Sequence, residues 1–107
     1  MDTTYADFAQ QFNEALARAA AEIDPRWAAR NYVGHEPSNG VAWIAGIYYD
    51  GDHIGSAEDA GRGGAVSFWF TSKTARALWE AEVERLRPGD GGGADLVIEA
   101  LLQKGGN

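Results

Sequence analysis

The start of the chain carries an apolar pattern with helical spacing. Apolar side chains recur every three or four positions, at Tyr5, Phe8, Phe12, Leu16, Ala19 and Ile23. This spacing is one face of a helix with 3.6 residues per turn. Asp24-Pro25 interrupts the run. Because Asp favours the N-cap and Pro favours the first helical position, the sequence predicts a short second helix over residues 25–31.

Strand patterns occupy the middle of the chain. After a predicted loop at 33–40, residues 41–49 are rich in β-branched and aromatic side chains, which predicts a strand. Asp50-Gly51 predicts a hairpin turn into a returning strand at 53–58. A glycine-rich connection then leads to a third predicted strand at 65–70. Its alternation separates Val66, Phe68 and Phe70 on one face from Trp69 on the other.

Two helical patterns follow the strands. Thr71 or Ser72 can cap a helix that Arg87-Pro88-Gly89 ends, and residues 94–103 predict a last helix. Their apolar positions are Ala75, Leu78, Trp79, Val83 and Leu86, then Val97, Ile98, Leu101 and Leu102. We expect Val66, Phe68 and Phe70 to form the core with Phe8, Phe12, Leu16, Leu78 and Val83.

The order of the elements predicts the fold class. Consecutive strands usually pair, and helices cover an apolar sheet face. The order α-(α)-β-β-β-α-α therefore predicts one α+β domain over residues 1–107. Its sheet would be a three-stranded antiparallel meander, with helices before and after it.

The α-β-β-β-α order resembles that of the double-stranded RNA-binding domain. Ser72-Lys73-x-Ala75-Arg76 is also similar to the start of that family's last helix. The family has a run of lysines at this point, whereas this chain has only Lys73 and Arg76. The resemblance therefore concerns the order of elements, and RNA binding is not expected.

The composition of the chain limits the classes of protein to which it can belong. With 107 residues, of which 45% are hydrophobic, the chain can bury one core. It has no cysteine, which excludes disulfides, a thiol nucleophile and a cysteine-based zinc site. The polar start Met1-Asp2-Thr3-Thr4 is unlike a signal peptide, and no apolar run is long enough for a membrane span. We therefore expect a cytoplasmic protein that does not bind membranes.

The negative charge is concentrated in the middle of the chain. The formal net charge is −7, and the segment from Asn31 to Gly61 contains no Lys or Arg. Its five carboxylates are Glu36, Asp50, Asp52, Glu58 and Asp59. This charge repels nucleic acid and attracts basic surfaces. The alternative is that the acidic residues only aid solubility.

Candidate chemistry is sparse. Asp50-Gly51-Asp52-His53 could bind a hard cation such as Mg²⁺ or Ca²⁺, although a hairpin turn alone explains these residues. The two histidines, His35 and His53, lack the spacing of a zinc site. Gly61-Arg62-Gly63-Gly64 joins two predicted strands, whereas phosphate loops lead into a helix. We therefore predict no catalytic residues, no metal and no cofactor.

The predicted sheet has apolar side chains on both faces. Ile44 and Tyr48 fall on the same side as Trp69, opposite the predicted core. In a sheet with one solvent-exposed face, apolar and polar side chains should alternate more regularly along each strand. Either this second face is a partner surface, or the helix at 25–31 or 94–103 covers it. A third possibility is that the second face is buried in a homodimer, in which case the chain needs no foreign partner.

These observations favour a non-catalytic inhibitor or interaction protein. It would dock on a basic, nucleic-acid-binding surface of a larger protein. The predicted partner-binding residues are Asp50, Asp52, Glu58, Asp59, Tyr48, Trp69 and Ile44. Such small acidic domains are similar in gross character to phage-encoded anti-CRISPR inhibitors and to immunity proteins that block a basic toxin. The alternative is a small metal- or nucleotide-binding domain or enzyme that uses Asp50, Asp52, His53 and Arg62.

Overall fold

The computed structural model describes residues 4–35, 42–59 and 66–105. These residues form an α+β fold with a four-stranded antiparallel sheet in the order β1-β2-β3-β4. The elements are α1 (Thr4–Glu22), β1 (Trp27–His35), β2 (Ala42–Tyr49), β3 (Asp52–Asp59), β4 (Ser67–Phe70), α2 (Lys73–Leu86) and α3 (Gly93–Gly105). The predicted meander is confirmed as β2, β3 and β4. The predicted number of strands is wrong, because β1 adds one at the edge.

The segment predicted as a second helix is strand β1. The backbone N–H of Trp27 donates to the Asp24 carbonyl at 3.0 Å, and the Asp24 carboxylate accepts from the Arg26 N–H at 2.9 Å. Asp24 and Pro25 thus begin a β-turn, where both residue types are favoured. Trp27 and Ala29 are then buried while Ala28 and Arg30 are exposed, which is the alternation of a strand. Pairing with β2 decides between helix and strand.

The predicted loop at 33–40 is wrong in its first part. Residues 33–35 continue β1, and the register runs from Trp27 opposite Tyr49 to His35 opposite Ala42. Residues 36–40, with the glycine-rich connection at 60–64, lie outside the described residues.

The predicted hairpin between β2 and β3 is confirmed. Asp50 and Gly51 have φ values of 52° and 88°, so both residues lie in the left-handed region. This is the pair of positive φ angles that a type I′ turn requires, and Asp-Gly supplies it at low cost. The turn fixes the register in which Tyr49 lies opposite Asp52.

One face of the sheet, which we call the inner face, packs against α2 and α3. Ile47, Ala57 and Phe70 lie at its centre and are buried. Trp79 of α2 is buried against them, with ring centroids 5.7 Å from Phe68 and 6.4 Å from Phe70. The core position predicted for Phe70 is confirmed, and Trp79, an apolar position of the predicted helix, is buried with it.

Helix α1 does not cover the sheet in the predicted way. Its residues Leu16 and Ala19 pack with Leu96 and Ala100 of α3. Helix α3 also contributes Val97, Ile98 and Leu101 to the core that includes the sheet. Because α3 is apolar on more than one side, it lies between α1 and strand β1. Phe12 and Leu78, both predicted for the core, are instead 40% and 39% exposed.

A buried carboxylate joins the end of α1 to α2. Glu82 accepts a hydrogen bond from the Asp24 N–H at 2.9 Å and ion-pairs with Arg85 at 2.6 Å. Arg85 also donates to the Glu22 carbonyl at 3.0 Å. The hydrogen bond from Arg85 lowers the pKa of Glu82 below its ordinary 4.5, although burial opposes the shift. These contacts fix the turn that leads into β1.

Strand β4 sits closely against β3 at Gly55. A Cβ added at Gly55 would lie 2.5 Å from the Trp69 carbonyl oxygen and 2.7 Å from the Phe70 ring. Only a residue without a side chain permits this approach. The Phe70 ring therefore lies on the inner face, and the alternation of the strand sends Trp69 to the opposite face.

Candidate functional site

The opposite side of the sheet, which we call the outer face, carries the predicted aromatic surface. Trp69 is 58% exposed there, whereas the next residue, Phe70, is 9% exposed. The helices pack on the inner face, so no helix within the described residues covers Trp69. Neither helix that was predicted as a possible cover lies over Trp69, because residues 27–35 form strand β1 and α3 packs on the inner face.

Three of the predicted partner-binding residues meet around one shallow groove. Ile44 lies directly opposite Glu58 in the β2–β3 ladder, and both line the groove with Trp69. The groove has a volume of about 130 Å³. It therefore combines an exposed indole, an aliphatic side chain and a carboxylate, which is the composition of an interface centre with a charged edge.

Tyr48 lies at the other end of the outer face. Its ring centroid is 5.3 Å from that of His53 on β3, and the Arg30 guanidinium carbon of β1 lies 5.4 Å above the Tyr48 ring. An arginine over an aromatic face is favoured by the ring quadrupole. The sequence interpretation missed Arg30 as an outer-face residue because it assigned residues 25–31 to a helix. The alternation from Trp27 to Arg30 could have placed it.

The acidic residues do not form one cluster. Asp50 and Asp52 are exposed at the β2–β3 turn, whereas Glu58 lies six residues along β3 from Asp52, about 20 Å at the strand rise. Asp59 is on the other side of the sheet, in a groove with Glu99 and Asp95. Burial raises the pKa of Glu99 above its ordinary value, and the charges of Asp59 and Asp95 raise it further.

The residues proposed for metal or nucleotide chemistry gain little from the fold. The described residues contain no group of three or more His, Asp or Glu side chains placed to hold a metal ion. Asp50 and Asp52 flank Gly51 in an exposed turn, and His53 contacts Tyr48. Arg62 and its glycine neighbours lie outside the described residues, as does the side chain of His35.

The chain matches no family model, no curated protein and no solved structure in comparisons with known proteins. Within the described ranges, no helix is both long and apolar enough to cross a membrane.

Proposed function

We propose that this chain is a non-catalytic interaction protein whose outer sheet face binds a basic surface of a larger protein. The observation that carries the proposal is Trp69, which exposes 58% of its surface beside Ile44 on a face that no described helix covers. Leaving a large apolar side chain in water forgoes about 1.5–3 kcal/mol of burial energy. Tryptophan is also the residue type most enriched at the energetic centres of protein interfaces.

The dimensions of the face show which neighbouring residues must take part. Four strands about 4.8 Å apart span about 14 Å, and the eight residues of β2 or β3 span about 26 Å. Because β4 has only four residues, the face covers at most roughly 370 Å². A stable interface covers about 800 Å² on each partner. The contact must therefore extend beyond the face, and the exposed β2–β3 turn with Asp50 and Asp52 is the adjoining surface.

Charge favours a basic partner. The formal net charge is −7. Glu58 is exposed beside the apolar groove, and Asp50 and Asp52 are exposed at the far end of the face. Arg30 on β1 is the cation of the described outer face, and it lies over Tyr48. Acids at the edge of an interface accelerate association with a basic surface and select against acidic partners.

Inhibition is the expected consequence of such binding. If the basic surface of the partner normally holds nucleic acid, an acidic protein bound there excludes the nucleic acid from it. The chain would then act as an inhibitor, as do the anti-CRISPR inhibitors and immunity proteins to which it is similar in gross character. The two classes differ in the partner, which is a nuclease complex for one and a toxin for the other.

The test is affinity capture with matched baits. Wild type, Trp69→Arg and Leu78→Arg would be immobilised and exposed to a native lysate, because both positions carry an exposed apolar side chain but lie on different sides of the fold. We expect a basic protein that wild type and Leu78→Arg retain, that Trp69→Arg loses, and that wild type displaces from nucleic acid after purification. Equal retention by Trp69→Arg would contradict the proposal.

Two further outcomes would replace this function with another. A rise in melting temperature with Mg²⁺, Ca²⁺ or a nucleotide would show a bound ligand by mass action and would favour the metal- or nucleotide-binding alternative. Light scattering that gives a dimer for wild type and a monomer for Trp69→Arg would show that the outer face binds a second copy of the chain.

A further inference from the structure

The fold has a second surface suited to binding, at the free edge of β4. Strand β4 pairs with β3, and within the described residues no strand lies on its other side. Such an edge presents backbone donors and acceptors to any chain that approaches in an extended conformation. This edge is separate from the outer face, and the inference drawn from it does not depend on the proposed function.

The ladder fixes which backbone groups are available. The Thr71 N–H donates to the Ile54 carbonyl at 2.9 Å. In an antiparallel pair, alternate residues bond to the neighbouring strand, and the register continues with Ser56 opposite Trp69. Trp69 therefore bonds to β3, whereas the N–H and C=O groups of Phe68 and Phe70 point away from it, toward the free edge.

A pocket lies beside this edge. It has a volume of about 260 Å³ and lies between β4 and α2. Phe68, Phe70, Trp79 and Val83 supply its apolar lining. The volume is large enough for one apolar side chain. Because alternate side chains of an added strand point to the same face, such a side chain can enter the pocket while the backbone pairs with Phe68 and Phe70.

The rim of the pocket has a cation at one end and carboxylates at the other. The Arg76 guanidinium carbon lies 5.1 Å above the Phe70 ring. Glu80 and Glu84 also line the pocket, one and two turns further along α2. Glu84 accepts a hydrogen bond from the Gly89 N–H at 3.2 Å. Both carboxylates are exposed, so this end of the rim favours a cation.

We propose that the edge of β4 and this pocket bind an extended, basic segment of a partner protein as an added strand. The backbone of the segment bonds to Phe68 and Phe70, an apolar side chain fills the pocket, and a Lys or Arg lies at Glu80 and Glu84. The occupant is an extended peptide because the edge supplies strand-type hydrogen bonds. It is basic because of the charge of the rim.

The first test selects ligands from a displayed library of randomised eight-residue peptides. We expect wild type to enrich peptides with an apolar residue and a Lys or Arg near it. Glu80→Lys should bind the enriched peptides about tenfold more weakly because it sets like charges together. Glu58→Lys, the same charge change on the outer face, should bind them as wild type does. No enrichment, or equal binding by Glu80→Lys, would overturn the proposal.

The second test locates the peptide by amide hydrogen exchange measured by NMR. In the free protein we expect protection at Trp69 and fast exchange at Phe68 and Phe70. The enriched peptide should protect Phe68 and Phe70, and N-methylation of alternate peptide amides should abolish its binding. Protection that changes only around Ile44 and Trp69 would instead place the peptide on the outer face and contradict the inference.

Discussion

Phe70 and Trp69 are neighbours in β4, and they belong to two surfaces of different character. Phe70 faces Ile47 and Trp79 and is 9% exposed, whereas Trp69 faces solvent and is 58% exposed. Both are large aromatic residues in the same short strand. The difference arises from what covers each face, because α2 and α3 pack on the inner face and no described helix packs on the outer one. The inner face thus maintains the fold, and the outer face leaves Trp69 exposed to solvent.

The largest effect should come from truncation on the inner face. Phe70→Ala should lower the free energy of unfolding by about 3–5 kcal/mol, because it removes a buried aromatic ring and leaves a cavity. Trp69→Ala, one residue away, should change it by no more than about 0.5 kcal/mol, as surface substitutions usually do. Urea denaturation of both variants measures the contrast. Similar losses for the two variants would mean that both faces are covered.

A smaller effect should follow from adding one methyl group between β3 and β4. Gly55→Ala should destabilise the protein by about 1–3 kcal/mol, the usual cost of overpacking, because the new Cβ would meet the Trp69 carbonyl at 2.5 Å. Ser56→Ala is the control, since Ser56 lies on the outer face. Thermal denaturation followed by circular dichroism compares them. A melting temperature for Gly55→Ala equal to that of wild type would contradict the close approach of β4.

The junction between α1 and α2 should respond to pH. The pKa of Glu82 is lowered in the folded protein, so its stabilisation is fully present above about pH 4.5, its ordinary pKa. That stabilisation is lost as the pH falls through the lower folded value. Glu82→Gln should therefore cost about 1–2 kcal/mol at pH 7, since it removes a charged hydrogen bond to a half-exposed arginine.

The measurement is a series of urea denaturations between pH 7 and pH 3. The difference between wild type and Glu82→Gln should shrink as the pH falls below about 4.5. Asp24, whose pKa falls to about 2 through its hydrogen bond to Arg26, titrates in both proteins, so the difference between them reports mainly on Glu82. Glu80→Gln, on the exposed side of α2, should follow wild type. A difference that stays constant with pH would exclude ionised Glu82 as the stabilising form.

The smallest effect should be on the rate of binding to the partner. Asp50→Asn, Asp52→Asn and Glu58→Gln together should lower the association rate by roughly tenfold at low salt, because charges at the edge of an interface act by steering. The effect should diminish at high salt. Asp59→Asn is the matched control, since Asp59 lies with Glu99 on the other side of the sheet. Stopped-flow kinetics with an unchanged association rate for the triple variant would remove these acids from the interface.

Local sequence predicted the strands that lie between strong turn residues. Asp50-Gly51 fixed the β2–β3 hairpin, and the alternation in β4 placed Phe70 and Trp69 on opposite faces. Asp24-Pro25 was ambiguous, because the same pair begins a helix or a β-turn. The strand is selected only because β1 pairs with β2, whose residues lie further along the chain. The alternation of side chains along β3 also places Glu58 and Asp59 on opposite faces, although both belong to the same acidic segment of the sequence.

The covering of the two faces could not be predicted from periodicity alone. Helix α1 is amphipathic, and its apolar residues fit a sheet as well as another helix. The burial of Val97, Ile98 and Ala100 in α3 shows that α3 packs on both the sheet and α1. The openness of the outer face follows from that arrangement, which depends on contacts between elements far apart in the chain.

The most direct test of the central claim, that the inner face folds the protein and the outer face binds, uses one substitution and two measurements. For Trp69→Ala with the purified partner, calorimetry should show a loss of about 2 kcal/mol or more in binding free energy, the size of an interface hot spot. The urea midpoint of the same variant should equal that of wild type. Unchanged affinity, or a loss of folding stability as large as that of Phe70→Ala, would contradict the account.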